Sequence, residues 1–96
     1  MKINFTNNSG NLIVSIEGRL DTMTSPELEI FFNAHIGEIS TLTLNCENLE
    51  YVSSAGLRVL LSAQKKLKGA MKLTHVQELV MEVFEMTGFA DILEIE

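Results

Sequence analysis

The spacing of the apolar residues changes repeatedly along this chain of 96 residues, and this change constrains the fold more than any other feature. Near the N-terminus, two short runs place an apolar residue at every second position, which is typical of strands with one buried face. These residues are Ile3 and Phe5 in the first run and Leu12, Val14 and Ile16 in the second. The turn residues Asn7-Asn8-Ser9-Gly10 lie between the runs, so the pattern predicts a hairpin.

Three later segments space their apolar residues by three or four positions, which is the period of an α-helix. The first follows Thr24-Ser25-Pro26-Glu27, where a hydroxyl can cap free amides and proline suits the first helical position. We expect this helix over residues 26–36. The second starts at Ser53-Ser54-Ala55-Gly56 and reaches about Lys68, and the third covers residues 77–87.

The remaining segments complete an alternating order of elements. Strands are predicted at residues 41–45, 71–74 and 93–95, and residues 46–52 are expected to form a connection into the second helix. Because this order requires parallel crossovers, we predict an α/β fold: a mixed sheet of four to five strands with about three to four helices packed against it. A chain of this length holds one hydrophobic core, so residues 1–96 are expected to form a single domain.

Charge and composition argue against several classes of function. A net charge of -6 repels phosphate backbones, so we expect no nucleic-acid partner. No apolar run approaches the roughly 20 residues of a membrane-spanning helix, and the N-terminus begins in a strand pattern, so we expect a cytoplasmic protein without membrane insertion. The single cysteine, Cys46, allows no internal disulfide, and no spacing of cysteine and histidine suits a metal site.

The third predicted helix carries a specific expectation about its buried side. The residues of its apolar stripe are Leu79, Val80, Val83, Phe84 and Met86. Met81 is expected to lie outside this stripe, as Ile30 does on the first helix. Such residues are either single exposed side chains, which are common, or contacts for a partner helix.

The serine pair at the start of the second helix is the main candidate for a modification site. A helix N-terminus carries unpaired amides and about half a positive charge, so a phosphate on a first-turn serine is favourably placed. Extending the helix backwards puts Ser54 near the edge of the buried side and Ser53 within it, so exposure favours Ser54. The residues alone also allow a simple N-cap. Gly56 weakens a helix, which suggests that it lets a partner backbone approach closely.

Two motifs, taken in order, carry a resemblance to a known family. Glu17-Gly18-Arg19-Leu20-Asp21 precedes the first helix, and Leu49-Glu50-Tyr51-Val52-Ser53-Ser54-Ala55-Gly56-Leu57-Arg58 leads into the second. Together they resemble the STAS family of anti-sigma-factor antagonists. The stretch from Lys72 through Gly88-Phe89 to Ile95 is similar to the family's closing strand, helix and final segment, so the likeness covers nearly the whole chain.

The resemblance implies a phosphorylation switch. In the family, a partner kinase that is also the anti-sigma factor phosphorylates a serine at the start of the second helix. The unphosphorylated antagonist binds this kinase, and the phosphorylated antagonist releases it. The acceptor directly follows an aspartate, and this position corresponds to Ser54. Here Ser53 replaces the aspartate and Ala55 replaces a second hydroxyl, which leaves Ser53 as a competing acceptor.

The resemblance also implies which residues meet the partner. They are Asp21, Thr22, Tyr51, Ser53, Ser54, Gly56 and Arg58. Asp21 and Thr22 match a loop that lies beside the acceptor in the family, although Asp21 can also be a plain turn or capping residue.

The implied partners are an anti-sigma factor/serine kinase of the GHKL type and a Ser/Thr phosphatase. The chain needs no cofactor of its own, because ATP belongs to the kinase, and no catalytic constellation indicates an enzyme. The alternative is a non-phosphorylated STAS scaffold or ligand-sensing subunit of a transport or signalling assembly, in which the serines are only caps. The sequence leaves the oligomeric state open.

Overall fold

A five-stranded mixed sheet organises the chain, and the computed structural model describes all residues from 1 to 96. The strands are β1 (Lys2–Asn8), β2 (Asn11–Leu20), β3 (Thr41–Val52), β4 (Met71–Thr74) and β5 (Glu94–Ile95), side by side in this order. β1 is antiparallel to β2, and all other neighbours are parallel. The helices are α1 (Ser25–His35), α2 (Ser54–Lys66) and α3 (Glu78–Thr87), with 3-10 turns at Ile36–Glu38 and Phe89–Asp91. The predicted α/β fold is confirmed.

One face of the sheet is buried beneath the three helices. Leu12 and Val14 of β2 are fully buried, whereas Ile13 between them is partly exposed, as expected for side chains that alternate along a strand. The helices add Leu28 and Phe32 from α1, Leu57, Leu60 and Ala63 from α2, and Val80 and Phe84 from α3 to the same core. No helix combines the length and the apolar character that crossing a lipid bilayer requires.

β3 is longer than predicted, because the expected connection at residues 46–52 continues the strand. Its buried residues follow a spacing of two as far as Cys46 and then a spacing of three to Leu49 and Val52. Two irregularities in the pairing with β2 account for the change, since each adds one residue to β3 and turns the following side chains over. The prediction of a loop was therefore wrong.

α3 lies in the predicted place, but its buried side differs from the prediction. Val80 and Phe84 face the core, whereas Leu79 is 69% exposed and Met86 is 86% exposed. Met81, expected outside the buried stripe, is partly buried and packs against the core. At about 100° per residue, the helix is turned by about 70° from the predicted orientation. The apolar residues of α3 occupy more than half of its circumference, so packing against the sheet decides which of them are buried.

Cys46 lies inside the core, in the middle of β3, and is not part of a disulfide. Burial raises the pKa of its thiol to about 12, because the charged thiolate loses its hydration there. The side chain therefore stays neutral at physiological pH and acts as a small apolar residue.

Candidate functional site

The carboxyl ends of β2 and β3 bring together two loops that are far apart in sequence. The strands are parallel, with Arg19 opposite Tyr51 and Leu20 opposite Val52. Just beyond them, the amide of Ser53 donates a hydrogen bond to the carbonyl oxygen of Leu20 at 2.9 Å. The loop after β2 therefore lies against the start of α2, at the sheet edge where α/β folds commonly place their functional sites.

The two serines at the start of α2 have different structural roles. Ser53 is the N-cap residue, and its hydroxyl oxygen accepts a hydrogen bond from the amide of Gly56 at 3.3 Å. Ser54 is the first residue of the helix, and its exposed side chain makes no hydrogen bond within the chain. The N-cap interpretation thus applies to Ser53, and Ser54 presents a free hydroxyl.

Replacing Ser53 by alanine is expected to lower the free energy of unfolding by about 1 kcal/mol, because the amide of Gly56 loses its acceptor. Urea denaturation monitored by circular dichroism measures this change. The matched control is Ser54→Ala, which removes a hydroxyl without a partner and is expected to change stability by less than about 0.5 kcal/mol. Equal losses in the two variants would contradict the assignment of Ser53 as the cap.

The loop after β2 is held by its own hydrogen bonds. Asp21 Oδ1 accepts hydrogen bonds from the amides of Met23 and Thr24, at 3.0 and 3.1 Å. Thr24 Oγ1 accepts one from the amide of Asp21 at 2.9 Å and donates to the carbonyl oxygen of Arg19 at 2.7 Å. Because the Thr24 hydroxyl closes this loop, it does not cap α1, and the sequence prediction of a hydroxyl cap there was wrong.

Asp21 has the turn-forming role that its sequence context allowed. The pKa of its carboxyl is lowered, chiefly by the hydrogen bond from the amide of Thr24, while desolvation acts in the opposite direction. Asp21 Oδ2 also lies 3.7 Å from Nε of Arg19, which lowers the pKa further. The carboxylate is therefore ionised at neutral pH and fixes the shape of the loop.

Two residues at this edge were absent from the predicted site. The guanidinium carbon of Arg19 lies 4.2 Å from the centre of the Tyr51 ring, a cation–π contact that holds both side chains at the surface. Met23 is 86% exposed within the same loop. The contact between Arg19 and Tyr51 depends on the strand register, which cannot be predicted from local sequence. Met23 could have been predicted, because an apolar residue in a polar loop indicates an exposed contact.

Gly56 does not face a partner, because it is buried against the end of β2. A Cβ atom at this position would lie 2.7 Å from Cγ of Leu20 and 2.9 Å from its carbonyl oxygen. The expectation that Gly56 lets a partner backbone approach was therefore wrong: the close approach is made by the chain's own strand.

A shallow groove runs between the starts of α1 and α2. Thr22, Pro26, Glu29, Ala55 and Arg58 are among its lining residues. Arg58 is exposed and, unlike Arg19, has no carboxylate within ion-pairing distance. A cation with no partner therefore lies one helical turn beyond Ser54.

A family model described as the STAS domain matches residues 2–96. This chain belongs to the STAS family. It is 34% identical to BtrV of Bordetella bronchiseptica, an inferred anti-sigma factor antagonist, over 99% of this chain and 85% of the relative. It is 26% identical to the anti-sigma-B factor antagonist of Bacillus subtilis, over 99% of this chain and 90% of the relative. These relatives support an anti-sigma factor antagonist role.

The same STAS fold occurs in the Bacillus protein SpoIIAA. Its unphosphorylated and phosphorylated structures match with TM-scores of 0.76 and 0.75 at 17% identity. The matches cover 99% of this chain and 87% and 91% of the SpoIIAA chains. At this level of identity, the likeness shows the fold.

Six of the seven residues predicted to meet a partner are at least partly accessible on this STAS domain. They are Asp21, Thr22, Tyr51, Ser53, Ser54 and Arg58. All six belong to the loop after β2, the end of β3 or the first turns of α2, and only Gly56 is buried. Their contact with a partner stays a prediction.

Proposed function

We propose that this STAS domain is a phosphorylatable binding switch that captures an anti-sigma factor/serine kinase of the GHKL type. The unphosphorylated form binds the kinase, which releases the sigma factor or an equivalent output. Phosphorylation of Ser54 ends the binding, and a Ser/Thr phosphatase restores it. The observation that carries the proposal is the division of roles at the start of α2, where Ser53 caps the helix and Ser54 leaves its hydroxyl free.

The chemistry at Ser54 requires only an accessible hydroxyl from this chain. As the bond between Ser54 Oγ and the γ-phosphorus of ATP forms, the bond to the β-phosphate oxygen breaks and ADP leaves. The hydroxyl proton passes to a base on the kinase, which also supplies the nucleotide. Because Ser54 is exposed on the first turn of α2, the free amides there favour the resulting phosphate.

The surface around Ser54 suits a partner that binds without reshaping it. The loop from Asp21 to Thr24 is already held by hydrogen bonds, so little ordering cost remains for binding. Met23, within this loop, offers an exposed apolar contact, and the paired side chains of Arg19 and Tyr51 offer a positive charge and an aromatic ring. A phosphate introduced next to this surface adds roughly -1.5 to -2 charge and disturbs docking.

Arg58 supports a second effect of phosphorylation. Residues 54 and 58 are four positions apart in α2, which places them on the same face of the helix, and helical side chains lean toward the N-terminus. Since Arg58 has no carboxylate partner, its guanidinium can bind a phosphate on Ser54. The phosphorylated form would then withdraw this cation from the partner.

Replacing Arg58 by alanine is expected to raise the second pKa of a phosphate on Ser54 by about 0.5 unit, because a nearby cation stabilises the dianion. Phosphoserine installed at position 54 during protein synthesis makes the measurement independent of any kinase, and ³¹P NMR titration reports the pKa. The control is Lys65→Ala, which removes a charge from the far end of α2. An identical titration in wild-type and Arg58→Ala protein would exclude this contact.

Incubation with the cognate kinase and ATP tests the acceptor itself. We expect one adduct of about 80 Da, the mass of one phosphoryl group, in wild-type and Ser53→Ala protein and none in Ser54→Ala protein. Intact-protein mass spectrometry measures it. Labelling that persists in Ser54→Ala and disappears in Ser53→Ala would overturn the choice of Ser54. No labelling of the wild type by a kinase that binds it would favour the scaffold alternative.

A further inference from the structure

α3 carries exposed apolar side chains that the core does not use. Leu79 and Met86 are seven positions apart, and Val83, partly buried, lies between them on the same side of the helix. The spacing i, i+4 and i+7 places these three residues in one row, which we call the α3 stripe. The core anchors of this helix are Val80 and Phe84, so the α3 stripe is an additional apolar face.

The charge beside the α3 stripe has one sign. Glu78, Glu82 and Glu85 lie on the outward side of α3, and the helix contains no lysine or arginine. At about 100° per residue, Glu82 is about 40° to 60° from Met86 and Leu79 around the helix axis, and it therefore borders the row. The two ion pairs of the chain, Arg19 with Asp21 and Lys72 with Glu96, do not involve these glutamates, so their charges are free for a partner.

We propose that the α3 stripe and its glutamates bind a short amphipathic helix of a partner protein, with apolar residues at i, i+4 and i+7 and lysine or arginine beside them. Helices bind in this way when an apolar row is buried and charges of opposite sign flank it. The flexible side chain of Met86 adapts to different apolar contacts. α3 packs mainly against β3 and the 3-10 turn at Phe89–Asp91, and none of its residues lines the groove between the starts of α1 and α2. The α3 stripe is therefore a different surface from the one proposed to bind the kinase.

The probe is a synthetic helical peptide of about two to four turns, with leucine at the three apolar positions and lysine beside them. We expect it to bind the full chain at low salt, with NMR shift changes confined to α3 and its neighbours. The double variant Leu79→Ser/Met86→Ser and the variant Glu82→Lys are each expected to weaken binding at least about tenfold. A peptide with glutamate in place of lysine is expected not to bind.

Ile30 provides a matched control. It is an apolar residue of α1 with the same exposure as Leu79, 69%, and its exposure agrees with the sequence prediction. Ile30→Ser is expected to leave peptide binding unchanged, and circular dichroism confirms folding of each variant. Equal weakening by Ile30→Ser and by the double variant Leu79→Ser/Met86→Ser, or NMR shift changes spread over the whole surface, would overturn the proposal. Self-association of the chain that disappears in the double variant Leu79→Ser/Met86→Ser would identify a second copy as the occupant and overturn the proposal of a partner helix.

Discussion

Phosphorylation of Ser54 is expected to weaken capture of the anti-sigma kinase by about 100-fold or more, which corresponds to about 2.7 kcal/mol. The reason is that a dianion replaces an exposed neutral hydroxyl beside a loop that hydrogen bonds already hold in place. Isothermal titration calorimetry with purified kinase in the absence of ATP measures the affinity. Ser54→Asp adds one charge and a shorter side chain, so we expect a loss of about tenfold.

Ser40→Asp is the control for added charge alone. Ser40 is exposed and directly precedes β3, so it lies at the opposite end of that strand from α2. We expect this variant to bind within about twofold of the wild type, because charges separated by more than about 10 Å are screened at 0.1 M salt. Equal affinity of the Ser54-phosphorylated and unmodified forms would refute a charge-operated switch and favour the scaffold alternative.

Substitution of Gly56 is expected to have the largest effect on stability. Gly56→Val should lower the free energy of unfolding by about 3 kcal/mol, and Gly56→Ala by about 1 to 2 kcal/mol after the gain in helix propensity. A Cβ atom would meet Cγ and the carbonyl oxygen of Leu20. The carbonyl oxygen belongs to the backbone of β2, and the Leu20 side chain is fully buried, so neither atom can give way unless the strand moves or the core repacks. The same carbonyl accepts the hydrogen bond from the amide of Ser53, so the contact between β2 and α2 is disrupted as well. Urea denaturation measures the loss.

Gly37 provides the comparison for Gly56. A Cβ atom at Gly37 meets no heavy atom within 4 Å, and its φ lies outside the left-handed range, so Gly37→Ala is expected to be neutral or slightly stabilising. If Gly56→Ala is as stable as Gly37→Ala, the close approach of Leu20 does not constrain this position. We also expect Gly56→Ala to weaken kinase binding, because the loop after β2 moves away from Ser54.

Much of the fold was predictable because neighbouring residues in sequence determine it. The hairpin of β1 and β2 and the starts of α1 and α2 follow from apolar spacing, turn residues and proline placement. The second half of β3 was not predictable in this way. Its bulges change the spacing of Cys46, Leu49 and Val52 from two to three, and a period-two test for strands fails on such a segment.

The site was partly predictable for a similar reason. The exposure of Ser54 follows from its angular position on one helix, which the sequence alone specifies. The contact between Arg19 and Tyr51 joins two strands through a shifted register, and the contact between Gly56 and Leu20 joins a strand to a helix. No local sequence pattern indicates such contacts. The sequence therefore predicts a partner backbone next to Gly56, although Leu20 of the chain itself occupies the space beside this residue.

The sequence by itself determined the order of strands and helices and the position of the free hydroxyl on α2, because both depend on periodicity and on residues close together in the chain. Only the tertiary structure decided which side of α3 is buried and what lies against Gly56. In α3, apolar residues on several sides compete for one covered face, and packing of Val80 and Phe84 against the sheet selects among them.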